Sequence, residues 1–97
     1  SATTLDILVD SKAIPIPNHI KIDVDGFEPK IVAGARRTLA RPEMRSVLIE
    51  INQNLPDHMQ IVFELDALGF KYDHDQVLRA ERKQGVFKGV AEYVFRR

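Results

Sequence analysis

Residues 20–28, IKIDVDGFE, decide how the chain is read. Ile20, Ile22 and Val24 alternate with Lys21, Asp23 and Asp25, the period-two pattern of a β-strand with one apolar face. With His19 in front, a strand is predicted over 19–24, and Gly26 is a natural break after it. Asp23 and Asp25 then stand at the carboxyl end of the strand, with Glu28 just beyond. Pro29 suits the first turn of a following helix, where its missing N–H is not needed.

Working outward, PKIVAGARRTLA reads as one helix, with Ile31, Val32, Ala35 and Leu39 on a shared inner face and Lys30, Arg37 and Arg41 toward water. Gly34 inside it costs about 1 kcal/mol relative to alanine, and a close approach to a sheet is the expected compensation. SVLIEIN (46–52) is nearly continuous β-branched and aliphatic sequence, the pattern of a strand covered on both faces. Asn54 and Asp57 offer caps for a helix through Leu68, with Ile61, Val62, Leu65 and Leu68 inward and Gly69 closing it.

FKYDHDQV alternates and reads as a strand, with Asp73–Asp75 on a wet face; LRAERKQG reads as a polar loop. VAEYVFRR is a final strand with Ala91, Tyr93 and Phe95 on one face. Upstream, Thr3 or Thr4 can cap a short helix through about Ser11, with Asp6 in its first turn, and IPIP (14–17) is a stiff extended connector. Strands separated by helices of this length make parallel right-handed crossovers, so the class is α/β. The last two strands have no predicted helix between them and should run antiparallel.

The bulk properties narrow the function. The 97 residues suit one domain spanning 1–97, and 14 basic residues balance 14 acidic ones. That balance argues against a nucleic-acid binder, which depends on phosphate neutralisation. Basic residues exceed acidic ones from Val77 onward, which reads as a solvated loop and strand. The chain has no cysteine, which removes disulfides, thiolate nucleophiles and Cys-based metal sites and fits a cytoplasmic protein. No apolar run is long enough for a membrane span. His19, His58 and His74 have no partner at ligand spacing, so no metal site is expected. Phe63, Phe70, Tyr72, Tyr93 and Phe95 read as core and edge packing, and Met44 and Met59 as gap-fillers.

In open α/β sheets, ligands bind beyond the carboxyl ends of the strands. Asp23, Asp25 and Glu28 would sit there, as would Glu50 and Asn52 at the end of the neighbouring strand. A structural role competes with this: Asp25-Gly26 as a turn, and Glu28 as an acid at the positive end of a helix. DVDG matches the D-x-D-G strand end of haloacid-dehalogenase phosphatases, but Phe27-Glu28-Pro29 departs from that family's continuation and its later lysine and acidic pair are not evident. A D-x-D metal site of the nucleotide-sugar glycosyltransferase type lacks any phosphate cradle. An EF-hand loop fails because no acid stands two residues before Asp23.

One resemblance uses far more of the chain. HIKIDVDGFEPKIVAGARRTLARPEMRSVLIEIN (19–52) resembles the core of the FkbM-type methyltransferases, through Ile20 to Gly26, Glu28, Gly34-Ala35, and Leu48 to Glu50. TTLDILV before it and EYVFRR at the end look like that family's preceding helix and closing strand, so the likeness extends over essentially the whole chain. It implies part of a Rossmann-like sheet: two parallel strands with a crossover helix, then an antiparallel pair whose last strand enters between its neighbours. It also implies an S-adenosylmethionine-dependent O-methyltransferase acting on a hydroxyl of a small molecule or sugar.

On that resemblance, Asp23 and Glu28 are the candidate catalytic residues, Asp23 and Asp25 the cofactor-binding candidates, and Glu50 and Asn52 the substrate-binding ones. The family's glycine-rich cofactor turn and ribose-binding acid have no counterpart here, and no G-x-G occurs. Those parts are expected upstream of Ser1, making this chain the C-terminal half of the domain, inactive and without bound cofactor alone. A non-catalytic α/β interaction module is the alternative. Either way the IKIDV strand is expected to be an open edge, prone to self-association or covered by the N-terminal helix or IPIP.

Overall fold

A computed structural model describes residues 3–23, 26, 28–81 and 89–97. Helix α1 (Leu5–Asp10) starts where expected, because the Thr4 hydroxyl accepts the Ile7 N–H at 3.2 Å. It ends at Ser11, and Lys12 takes a left-handed φ of 62° to turn the chain. The following IPIP residues are non-helical, as two prolines require.

Strand β1 (His19–Ile22) pairs in parallel with β2 (Ser46–Asn52), His19 beside Ser46 and Ile22 beside Ile49. Between them run α2 (Glu28–Ala33) and α3 (Arg36–Leu39). Then follow α4 (Pro56–Ala67), β3 (Lys71–Tyr72), α5 (His74–Ala80) and β4 (Val90–Arg96). The four strands form one open sheet in the order β1-β2-β4-β3. β4 is antiparallel to both neighbours, so the last strand lies inside the sheet. This is a mixed α/β fold with the parallel pair and the antiparallel C-terminal pair that the sequence indicates.

Alternation builds the core. Ile22, Val47, Ile49, Ile51, Tyr93 and Phe95 are buried side chains of the strands, packed with Ile61, Val62 and Leu65 of α4. Burying each of these large apolar side chains stabilises the fold by about 1.5–3 kcal/mol. Ser46, Leu48, Glu50 and Asn52 alternate with them and are only half-buried. β2 is therefore sealed on one face, not on both as its aliphatic run suggests.

Several expectations are corrected. The helix predicted across 29–40 is two helices, broken at Gly34-Ala35. Gly34 does approach a neighbour closely, but the neighbour is α1 and not a sheet: a Cβ there would lie 2.9 Å from Thr4 Cβ and Cγ2. Ile31 is exposed rather than inward. Leu55, not Asn54 or Asp57, stands at the N-cap of α4 with Pro56 behind it. FKYDHDQV is a two-residue strand and then a helix, because the Asp73 carboxylate accepts the Asp75 and Gln76 N–H groups and starts α5. A helix therefore does separate the last two strands. It packs against β4, where Gln76 Nε2 donates to the Glu92 carbonyl at 2.9 Å. Phe63 is 62% exposed on α4 and is not core. Val24, Asp25, Phe27 and the loop 82–88 lie outside the described residues.

The C-terminal residue closes the fold. The Arg97 guanidinium donates to the carbonyls of Met44 (2.8 Å), Leu68 (2.7 Å) and Leu39 (2.9 Å), and to that of Arg41. It also stacks 4.1 Å from the centre of the Phe70 ring. Leu39 ends α3 and Leu68 follows α4, so one cation answers the negative ends of two helices. Among the described residues, no helix is long and apolar enough to cross a membrane.

Candidate functional site

The parallel pairing brings two strand tips together. Ile22 is level with Ile49, so Asp23, the next residue, falls in register with Glu50, and Asn52 ends β2. Four of the five sequence-nominated residues can be placed; Asp25 lies outside the described residues. Gly26 has φ 82°, the left-handed conformation that makes glycine the fitting residue in this turn.

Asp23 is exposed and lines a groove of about 540 Å³ at the open edge of β1, with Leu5, Leu8, Ile20, Ile22 and Ile31 among its apolar walls. Glu50 is half-buried and opposes Glu92 across the β2–β4 ladder. Both carboxylates line a polar cavity of about 230 Å³ with Ala80, Val90 and Ala91. Asn52 is tied into the backbone: its Oδ1 accepts the Asn54 N–H at 2.9 Å. Asp23 and Glu50 thus lie at adjacent strand ends but open into different hollows.

Glu28 behaves differently. It begins α2 and is 2% exposed. Its Oε1 has no hydrogen-bond partner among the described residues. His58 of α4 faces it, with Nε2 3.7 Å away. His58 is itself buried, and its Nδ1 accepts the backbone N–H of Asn52 at 3.0 Å. A backbone amide can only donate, so in the neutral ring the proton sits on Nε2, facing Glu28.

Sequence spacing passes over His58, because its partners are Glu28 of another helix and the end of β2. A buried histidine six residues after a strand tip is a signal only once the strand and helix are known to be adjacent. Among the described residues, no three His, Cys, Asp or Glu side chains converge to hold a metal ion.

The family model described as "Methyltransferase FkbM domain" matches residues 1–72, from the start of the chain to the end of β3. Helix α5 and strand β4 lie beyond the matched segment. No curated protein and no solved structure gives a significant match.

Proposed function

Because the chain belongs to the FkbM methyltransferase family, we propose that it forms the C-terminal half of a Rossmann-like, S-adenosylmethionine-dependent domain that methylates a hydroxyl of a small molecule or sugar. The observation that carries this reading is the parallel β1–β2 pair, in which Ile22 stands level with Ile49, so that Asp23 and Glu50 follow toward the carboxyl ends of neighbouring strands, where open α/β sheets bind ligands. The insertion of β4 between β2 and β3 agrees with the expected closing strand.

The residues present fit one wall of a cofactor site. Asp23 offers an exposed carboxylate for hydroxyl or ammonium donors, and the groove beside it offers apolar side chains for a ring or alkyl chain. No G-x-G turn is available to bring backbone close to the cofactor, so a second wall has to come from sequence outside these residues. When bound, S-adenosylmethionine supplies an electrophilic methyl group.

The work left to the chain is orientation and proton handling. Asp23 can accept the acceptor's hydroxyl hydrogen and hold its oxygen in line with that methyl. Asp23, or water beside it, would take the proton that the acceptor hydroxyl gives up. Asp23 and Asp25 are assigned to the cofactor, and Glu50 and Asn52 to the acceptor. Glu28, buried at the start of α2, is assigned with Asp23 to catalysis. A cytoplasmic setting belongs to the same proposal.

The test uses the full-length protein, methyl-labelled S-adenosylmethionine and a panel of polyhydroxylated small molecules. Label transfer that falls at least tenfold in Asp23→Asn supports the reading. Neither transfer nor cofactor binding by the full-length protein would overturn it in favour of the non-catalytic module. Isothermal titration of the 97-residue chain alone is expected to show no binding; stoichiometric micromolar binding removes the one-wall assignment.

A further inference from the structure

A buried carboxylate oxygen without a donor is costly, and more so when it is charged. Such an atom in a folded chain calls for an explanation. Among the described residues Glu28 Oε1 is one, at the first position of α2. The side chain facing it, His58, is placed by an unrelated part of the chain, and its tautomer is fixed from behind by Asn52.

Each link follows from the one before. Asn52 ends β2, so the parallel sheet positions its N–H. That N–H engages Nδ1 at 3.0 Å, which leaves the ring's hydrogen on Nε2. Nε2 lies 3.7 Å from Glu28 Oε1, beyond hydrogen-bond length but within reach of a small rotation of either side chain. Both side chains are nearly sealed, at 9% and 3% exposure, so solvent offers little competition for the contact.

We infer that His58 is a positioning residue: held in its Nε2–H form by the backbone N–H of Asn52, it presents a donor to the buried Glu28 carboxylate and fixes that acid at the start of α2. This rests on the methyltransferase reading for its consequence, but not for its chemistry. The arrangement couples the end of β2 to the start of α2 through one ring.

Two substitutions separate the halves of the ring. His58→Asn puts an amide oxygen near the Nδ1 position, keeping an acceptor for Asn52 while removing the donor to Glu28. His58→Gln puts an amide near the Nε2 position and restores that donor. In the full-length protein, His58→Asn is expected to lower kcat by about 10- to 100-fold, the value of one hydrogen bond to a charged group. KM for S-adenosylmethionine should change less than threefold, and His58→Gln should recover most of kcat. Equal loss in both variants, or no loss in His58→Asn with its Tm intact, overturns the inference.

A readout independent of turnover accompanies it. Nitrogen-15 long-range correlation spectra of histidine-labelled full-length protein should show His58 as the Nε2–H tautomer, with its Nε2 resonance displaced by Glu28→Gln. An Nδ1–H tautomer, or no response to Glu28→Gln, overturns the inference even if methyl transfer is found. A wild-type protein that transfers no methyl but shows the tautomer and the response refutes the methyltransferase reading and leaves the brace standing.

Discussion

Asp6 of α1 is spliced into the hydrogen-bond ladder at Thr38. In an uninterrupted helix the Thr38 N–H would donate to the Gly34 carbonyl. Instead the Thr38 N–H donates to Asp6 Oδ1 at 2.8 Å, while the Gly34 carbonyl accepts the Asp6 N–H at 2.9 Å. The Thr38 hydroxyl adds a 2.7 Å bond to the same oxygen, and the Arg37 N–H donates to Oδ2 at 3.0 Å. One residue thus takes both partners of a single missing rung, which is why α2 and α3 are separate and why α3 needs no cap of its own.

Replacing Asp6 by alanine should therefore act as the loss of a buried helix cap. Three donors lose their acceptor at a site only 5% exposed, and the expected cost is about 2–4 kcal/mol. For a domain of this size that is a fall in Tm of about 10 °C or more, read by circular dichroism. Asp6→Asn, which keeps an acceptor oxygen, should lose less. Equal stability of Asp6→Ala and wild type would show that the splice carries no weight.

The same contact gives stability a pH dependence of defined sign. Burial opposes ionisation of Asp6, but the Thr38 hydroxyl, the Thr38 and Arg37 N–H groups and the Arg37 charge outweigh it, and its pKa falls below the ordinary 3.8. A carboxylate lowered on folding contributes stability that is fully present above its unfolded pKa and is lost as pH drops through the folded one. Urea midpoints of wild type and Asp6→Asn should differ most near neutrality and converge below about pH 4. A gap that stays constant down to about pH 2 would contradict this assignment.

This also shows where sequence reading stops. Alternation in IKIDV and the aliphatic run SVLIEIN define β1 and β2 and their parallel pairing, because strand periodicity is local. Thr4 as a cap is local too. The break at Gly34 is not: PKIVAGARRTLA has a sound helical pattern, and only a carboxylate 32 residues away from Thr38 interrupts it. In the candidate site, Asp23 and Glu50 are legible as strand ends. The Glu28–His58 contact is not, since it depends on how α2 meets α4. Helix α5 was hidden by alternation in KYDHD, where Asp73 acts as a cap and not as a strand residue.

Gly34 should tolerate almost no side chain. A Cβ would meet Thr4 Cβ and Cγ2 at 2.9 Å, closer than van der Waals contact allows. Thr4 cannot simply withdraw, because its hydroxyl holds the first turn of α1. Gly34→Ala is expected to lose about 1–3 kcal/mol by overpacking, although alanine is the better helix former. Gly34→Val should lose more. Urea denaturation of both variants checks the order, and a stabilised Gly34→Ala would refute the steric account.

Arg97 should resist even a conservative change. Its planar fork reaches carbonyls of Met44, Leu68 and Leu39 from three different segments, and a lysine ammonium cannot reproduce that spread. Arg97→Lys and Arg97→Met should each lose about 2–4 kcal/mol, since the carbonyls they abandon are left partly buried. If Arg97→Lys retains wild-type stability, the attraction is one of charge alone and the geometry of the fork is immaterial.

The outer edge of β1 bears on assembly. β1 pairs with β2 on one side, and among the described residues no strand lies on the other. The apolar groove beside that edge includes the exposed Ile31. Bare strand N–H and C=O groups next to apolar surface favour edge-to-edge pairing, so the 97-residue chain is expected to self-associate. Sedimentation velocity across a hundredfold range of concentration should show the weight-average mass rising. Ile20→Lys, which places a charge beside the groove, should shift the balance toward monomer. A chain that stays monomeric throughout that range, with β1 protected from hydrogen exchange only on its β2 side, would contradict the expectation.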